Sequence, residues 1–229
     1  MTCDRQDGRS MGKQFKQMTP LEARTAFYVD FEGGKDAPPV LIGVLRKHTQ
    51  QYVVEPAFEG LGPDYRELRV AVSTVVTRAE KQGRRIVSWS EHDLEIVRSL
   101  TKEPELIARF EARYANGRAL ASRWATRAPG IEKPASGDLE RYFELIGYKV
   151  PESAGPGQVG ATVRSLRQRI DAGRQPTENQ LERWADLLEH NRHDCEGMRE
   201  VCVRAATELE RLDKRMRKSR KGRKARKKR

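Results

Sequence analysis

The feature of this sequence that most constrains its fold is an unbroken apolar run from Val40 to Leu45. A half-exposed strand alternates apolar and polar side chains, whereas a run that is apolar at every position is typical of a strand covered on both faces. The run therefore predicts a buried strand.

Two further strands are predicted beside it. Apolar and polar residues alternate over Thr25–Glu32, and the pair Gly33-Gly34 ends that segment. Gln51–Val54 forms the next predicted strand after a polar turn. Three consecutive strands with short connections predict an antiparallel meander.

Helices are predicted after the meander. Asp64 and Glu67 fit a capping box, and apolar residues follow at helical spacing until the helix ends near Gly83. Arg85–Trp89 predicts another strand, and Ser90 begins a second helix. Because a strand that returns through a helix lies parallel to its neighbour, we expect a mixed sheet and an α/β fold.

The second half of the chain is mostly helical in pattern. The segment from Asn116 to Thr126 is ambiguous and is the candidate for the last strand. Thr177 and Gln180 fit a capping box that opens a long final helix. The other helices are predicted at Pro104–Ala115, Asp138–Gly147 and Val163–Ile170.

The net charge of +12 is located at the carboxyl end of the 229-residue chain. Residues 211–229 hold thirteen lysines and arginines and one acid, whereas residues 1–210 hold 32 basic and 32 acidic residues. Almost nothing apolar follows Met216, so we expect residues 211–229 to be a disordered tail.

Such a tail is suited to displacing counterions from a phosphate backbone, so we expect it to bind nucleic acid. Anionic lipid or a solubilising role is the alternative. The cations expected to contact nucleic acid are Lys214, Arg215, Arg217, Lys218, Arg220, Lys221, Arg223, Lys224, Arg226, Lys227, Lys228 and Arg229.

No apolar run approaches the ~20 residues needed to cross a bilayer, and the first residues carry no secretory hydrophobic stretch. Cys3, Cys195 and Cys202 form no Cys-x-x-Cys motif, so free thiols are expected. The sequence predicts a soluble, cytoplasmic protein without membrane contact. We expect a flexible segment over residues 1–24, one domain over 25–210 and the tail over 211–229.

Two acids on the first predicted strand could carry chemistry. Asp30 and Glu32 are two residues apart, so both side chains project from one face. Like charges raise each other's pKa unless a cation lies between them, and a hard divalent ion is the obvious candidate. The Asp-x-Glu spacing occurs four times in the chain, and an exposed face of an edge strand is the alternative.

Four segments together resemble a known family. Tyr28-Val-Asp-Phe-Glu32 resembles the opening motif of the ribonuclease-H-like exonucleases with four acidic ligands, the DEDD superfamily. It is most similar to the YprB-like predicted nucleases found alone or beside RecB-type helicase modules. Ile86–Glu95 resembles the family's second motif, a strand that leads into a helix whose first turn carries an acid. Asp138–Gly147 resembles the helix that precedes the last motif. His190-Asn-Arg-His-Asp194 resembles that last motif, Tyr-Asn-x-x-Asp.

The resemblance implies a ribonuclease-H-like mixed sheet flanked by helices, with four acids binding two Mg²⁺ or Mn²⁺ ions. The implied ligands are Asp30, Glu32, Asp93 and Asp194. Asp93 has an alternative role, because Ser90 and Asp93 also fit a capping box.

His190 occupies the position at which the family motif has tyrosine. His190 and Asp194 are four residues apart, so they share one helix face. We therefore expect His190 to orient or deprotonate the attacking water, with a surface histidine as the alternative.

The resemblance implies a metal-dependent nuclease, and a 3′-to-5′ exonuclease acting on DNA or RNA is the expected activity. It also implies a helicase or a repair protein as a partner. A structure-selective endonuclease with the same acids remains an alternative, as does a non-catalytic nucleic-acid-binding or scaffold protein. The sequence leaves the oligomeric state open.

Overall fold

The computed structural model describes residues 18–33, 38–62, 64–151 and 159–226, with side chains described up to residue 219. The first half contains α1 (Pro20–Thr25), β1 (Phe27–Gly33), β2 (Pro39–Arg46), β3 (Thr49–Val54), a 3-10 turn (Pro56–Phe58), α2 (Leu68–Lys81), β4 (Ile86–Ser88) and α3 (Glu91–Thr101). The second half contains α4 (Pro104–Arg113), β5 (Tyr114–Asn116), α5 (Gly117–Arg127), α6 (Leu139–Ile146), α7 (Val159–Asp171) and α8 (Glu178–Arg226).

The five strands form one sheet in the order β3-β2-β1-β4-β5. β1 pairs antiparallel with β2, and β2 pairs antiparallel with β3. The pairs β1–β4 and β4–β5 are parallel. The predicted meander and the predicted mixed sheet are both confirmed, and β1 lies at the centre of the sheet.

Helices cover both faces of the sheet. Phe27, Val29 and Phe31 of β1 pack with α2, α3 and α4 on one face. Tyr28 points to the opposite face, where it packs with α1, α5, α6 and α8. Because side chains alternate along a strand, Asp30 and Glu32 point to the face that α8 covers.

The predicted flexible segment over residues 1–24 is wrong for residues 18–24. Thr19 and Glu22 form a capping box at the start of α1, which has Pro20 at its first position. Met18 and Ala23 are buried in the same core cluster as residues of α8. The core therefore begins before residue 25, and residues 1–17 lie outside the described part of the chain.

The predicted capping box at the start of α2 is also wrong. The side chain of Glu67 caps nothing, and Asp64 pairs with Arg66 instead. The backbone N–H of Leu68 donates to Oε1 of Glu55 at 3.1 Å. The cap comes from a residue that only the fold brings near, so the local pattern missed it.

The last strand lies earlier than expected. β5 occupies Tyr114–Asn116, so the preceding helix ends at Arg113 rather than Ala115. The ambiguous segment forms helix α5 and is not a strand, and Asn116 caps it by accepting a hydrogen bond from the N–H of Ala119 at 2.8 Å. A strand of three residues is too short to show a period of two in the sequence.

The predicted disordered tail is wrong up to Arg226, because α8 continues through residues 211–226. The packed part of α8 has already met the cost of helix nucleation, so further residues need only extend it. Lysine and arginine are good helix formers, and positive charge is favourable near a helix carboxyl end. Residues 227–229 lie outside the described part.

None of the described helices combines the length and the apolarity required to cross a bilayer.

Candidate metal centre

The two strand acids lie in the second half of the central strand. Asp30 pairs in register with Gly43 of β2, and Glu32 is 6% exposed. The two carboxylates face α8 rather than solvent, which excludes the exposed edge-strand alternative. Their position follows from strand periodicity and from the covered face of β1.

Asp93 reaches the same edge of the sheet from a different element. β4 runs parallel to β1, so the first turn of α3, which follows β4, lies near the carboxyl end of β1. The backbone N–H of Ser90 donates to Oδ2 of Asp93 at 3.1 Å, which confirms the capping box. Asp93 is 7% exposed, and its charge raises the pKa of both Asp30 and Asp194. The capping carboxylate therefore lies near enough for its charge to act on the other acids, but it is not among the residues whose ligand atoms lie within 4.8 Å of one another.

α8 supplies the remaining members. Nε2 of His190 lies 3.4 Å from Oδ2 of Asp194, as their spacing of one helical turn predicts. Glu32, His190 and Asp194 each offer one ligand atom, and these three atoms lie within 4.8 Å of one another. His190 is buried, so the surface-histidine alternative is excluded.

Asn191 is a site residue to which the sequence assigned no role. Its Nδ2 donates to Oδ2 of Asp30 at 2.9 Å and lies 3.4 Å from Oε1 of Glu32. Its Oδ1 accepts a hydrogen bond from Nε2 of Gln50 at 3.3 Å. The asparagine stands inside the motif that resembles the family, but its side-chain partners come from β1 and β3, which local sequence does not reveal.

Gly43 makes room for this amide. A Cβ atom on Gly43 would lie 1.6 Å from Oδ1 of Asn191, well inside any allowed contact. A lone glycine in an apolar strand often marks the close approach of another group, and this was the available sequence signal.

Burial and mutual repulsion dominate the electrostatics of the cluster. Burial raises the pKa of Asp30 well above its ordinary value, and the charges of Asp194 and Asp93 raise it further. Burial and then the charge of Asp30 raise the pKa of Glu32, while His190 opposes this. Burial and the charge of Glu32 likewise raise the pKa of Asp194.

The pKa of Asp93 is raised less than the pKa values of the other three acids. Burial raises its pKa, and the hydrogen bonds from Ser90 and Ser88 partly oppose that rise. Within the described ranges, no lysine or arginine forms an ion pair with any of the four acids. Two buried and two half-buried carboxylates without a lysine or arginine partner are costly to ionise unless a cation is bound.

The donor set fits a divalent cation. Carboxylate oxygens suit Mg²⁺ and Mn²⁺, and one imidazole is compatible with Mn²⁺ and with later transition metals. Opposite oxygen ligands of Mg²⁺ lie roughly 4 Å apart. The ligand atoms of Glu32, His190 and Asp194, all within 4.8 Å, need only small side-chain adjustments to meet on one ion.

Comparisons with models of protein families, with curated proteins and with solved structures give no match. The chemical interpretation of this cluster therefore depends on its geometry.

The predicted tail cations do not lie at the cluster. Lys214, the first of them, is twenty residues beyond Asp194 on the same helix. The structure thus brings Glu32, His190 and Asp194 together, with Asp30 and Asp93 nearby, and separates them from the described part of the tail, which runs from Lys214 to Arg226.

Proposed function

We propose that this chain is a divalent-metal-dependent nuclease that hydrolyses phosphodiester bonds, acting as a 3′-to-5′ exonuclease. One observation carries the proposal: Glu32, His190 and Asp194 place ligand atoms within 4.8 Å of one another, and half-buried Asp30 and buried Asp93 add two more carboxylates nearby, without a lysine or arginine partner in the described ranges. Phosphoryl transfer requires concentrated positive charge near its transition state. Because no lysine or arginine pairs with these carboxylates, their negative charge provides binding sites for cations, which would supply that positive charge.

Glu32, His190 and Asp194 would hold one ion, and Asp30 and Asp93 would complete the site for a second. When bound, a pair of divalent ions supplies electrostatic stabilisation to the attacking and leaving oxygens of the phosphodiester. The oxygen-rich donor set makes Mg²⁺ or Mn²⁺ the proposed cofactor.

The chain's own residues set up this chemistry. The Asn191 amide orients the Asp30 carboxylate through the 2.9 Å hydrogen bond, and a fixed carboxylate needs less reorganisation when it becomes a ligand. His190 has two possible roles. As a base it would take a proton from the attacking water, whereas as a ligand it would bind the ion through Nε2.

The short distances from His190 to Glu32 and Asp194 favour the ligand role. The sequence-based assignment of His190 as the base remains a prediction, and the two roles are separable by experiment.

The sheet pattern supports the same conclusion. It is antiparallel over its first three strands and parallel over β1, β4 and β5, as the resemblance to ribonuclease-H-like exonucleases implies. The strongly basic end of α8 supports nucleic acid, DNA or RNA, as the substrate class. A helicase or repair partner stays a prediction from the resemblance.

The proposal is tested with 5′-labelled single-stranded and double-stranded DNA and RNA, incubated with Mg²⁺ or Mn²⁺. We expect a ladder that shortens from the 3′ end, with activity abolished in Asp30→Ala and Asp194→Ala. Asp186→Ala is the matched control, because Asp186 is an exposed acid on α8 two turns before Asp194.

The other outcomes discriminate the alternatives. Internal cuts that depend on the same acids would assign an endonuclease. Binding without cleavage by the wild-type protein would assign a non-catalytic nucleic-acid-binding protein. Cleavage that survives both substitutions would show that the cluster is not the active site.

A further inference from the structure

The end of α8 has a fixed relationship to the metal centre because both belong to one continuous helix, Glu178–Arg226. We call residues 214–226 the arm. Nine of its thirteen residues are lysine or arginine and none is acidic. The side chains of residues 214–219 are all exposed. Residues 214–219 of the arm thus form a cationic surface on a helix whose earlier part is held in the core.

The base of the arm is tied to the body of the protein. Leu209 is fully buried, and Asp213 forms an ion pair with Arg127 of α5 at 2.5 Å. Neighbouring Arg123 and Arg217 also lower the pKa of Asp213, after the larger effect of Arg127. These contacts fix the direction in which the arm leaves the body.

The helix sets the separation between arm and centre. With a rise of 1.5 Å per residue, Lys214 lies about 30 Å along the axis from Asp194, and Arg226 lies about 48 Å from it. A nucleic acid therefore contacts both only if it spans that distance.

The composition of the arm favours a duplex over a single strand. Proteins that hold single strands combine positive charge with aromatic side chains on which bases stack. The arm contains no aromatic residue. Its cations suit a phosphate backbone, and a duplex carries the denser charge, about one per 1.7 Å of axis.

The geometry points to a duplex substrate that has one end at the metal centre. At 3.4 Å per base pair, the phosphates that contact the arm lie about 9 to 14 base pairs from that end. This inference rests on the proposed function. It adds that the arm assists only substrates long enough to bridge the two sites.

Crosslinking tests the placement directly. The full chain carrying Asp30→Asn is mixed, in the presence of Mn²⁺, with blunt duplexes of about 24 base pairs that carry one photoreactive base at varied distance from the end. Crosslinked peptides are then identified by mass spectrometry. We expect residues 214–226 to crosslink to bases about 9 to 14 pairs from the end, and the terminal bases to crosslink near the metal centre.

Kinetics with a matched pair of variants provides the second measurement. The arm variant replaces Arg215, Arg217 and Lys218 by Gln. The control replaces the exposed cations Arg24, Lys81 and Lys102 by Gln; they lie near the sheet edge where β1 and β4 begin, away from the acids. At moderate salt, we expect the arm variant to raise KM about tenfold for duplexes of about 24 base pairs, with kcat unchanged. Duplexes of about 8 base pairs should show no such effect, and the control should leave both unchanged.

Different results would contradict the fixed spacing and the proposed function. Arm crosslinks that are uniform along the duplex, or an arm effect on KM that is equal for short and long duplexes, would overturn the fixed spacing while the nuclease assignment stands. Absence of cleavage by the wild-type chain with either metal would overturn the proposed function instead.

Discussion

The amide of Asn191 lies directly over the backbone of Gly43, in space that a single methyl group would fill. The missing Cβ would lie 1.6 Å from Oδ1 of Asn191, and the same amide donates to Oδ2 of Asp30 at 2.9 Å. Gly43 and Asp30 are register partners on adjacent strands. A glycine on β2 therefore determines how a helix side chain reaches a carboxylate on β1.

Gly43→Ala tests this relationship. The new methyl group forces Asn191 to move, so we expect the free energy of unfolding to fall by about 1–3 kcal/mol, as overpacked cores do. Metal affinity should fall as well, because Asp30 loses its oriented donor. Urea unfolding and calorimetric titration with Mn²⁺ measure the two effects.

The double variant Gly43→Ala/Asn191→Ala is the control for that experiment. Removing the amide makes room for the methyl group, so the double variant should be more stable than the sum of the two single changes predicts. Simple additivity would mean that the two residues do not compete for the same space.

Asn191→Leu tests the positioning role while keeping the number and branching of the side-chain heavy atoms. Loss of the donor to Asp30 and Glu32 should weaken Mn²⁺ binding roughly 10- to 100-fold, as for other residues that orient metal ligands. Gln50→Leu should have a smaller effect, since Gln50 contacts the amide and not the carboxylates. Equal effects of the two substitutions would contradict a direct role for Asn191.

Asp194→Asn should stabilise the protein in the absence of metal. Burial and the charge of Glu32 raise the pKa of Asp194, so its ionised form is unfavourable in the folded state. Removing that charge should raise the Tm by a few degrees in EDTA, corresponding to about 1 kcal/mol. Thermal unfolding with and without Mn²⁺ provides the measurement. The rise in Tm that Mn²⁺ causes in the wild-type protein should be absent in Asp194→Asn. Asp186→Asn, an exposed change on the same helix, should alter neither value.

The pH dependence has a definite sign. A carboxyl group whose folded pKa lies above its unfolded pKa binds more protons when folded, so stability decreases as pH rises between the two values. The stabilisation of metal-free protein by Asp194→Asn should therefore grow as pH rises through the interval above the ordinary pKa of an aspartic acid side chain. A stabilisation that shrinks over this interval would contradict the raised pKa.

His190→Gln separates the two roles of the histidine. Because Nε2 belongs to the group of ligand atoms within 4.8 Å, we expect the substitution to weaken Mn²⁺ binding and also to lower kcat. Calorimetric titration and initial rates at saturating Mn²⁺ measure the two quantities. Lowered kcat with unchanged metal affinity would assign the base role instead.

Much of the fold was predictable from local patterns. The buried run Val40–Leu45 indicated a covered strand, and the alternation up to Glu32 placed Asp30 and Glu32 on one face. The capping boxes at Ser90 and Thr177 located the starts of α3 and α8. These features depend on residues a few positions apart, and so the sequence contains them directly.

Other features depended on distant partners. Glu55 caps α2 from across a loop, and β5 forms only because β4 offers it a parallel neighbour. The chain beyond residue 210 is too polar to predict a stable helix by itself, yet it extends a helix that packing has already formed.

The same division holds for the candidate metal centre. By itself, the sequence determined which residue types were present and which faces of β1 and α8 the acids and His190 occupy, because strand and helix periods are local properties. Only the tertiary structure decided that Asp93 lies near enough for its charge to act on Asp30, and that Asn191 lies between Asp30 and Gln50. The physical reason is that these relationships are set by strand pairing and by the packing of α8 across the sheet, which join residues far apart in the sequence; Asn191 is 161 positions from Asp30 and 141 from Gln50.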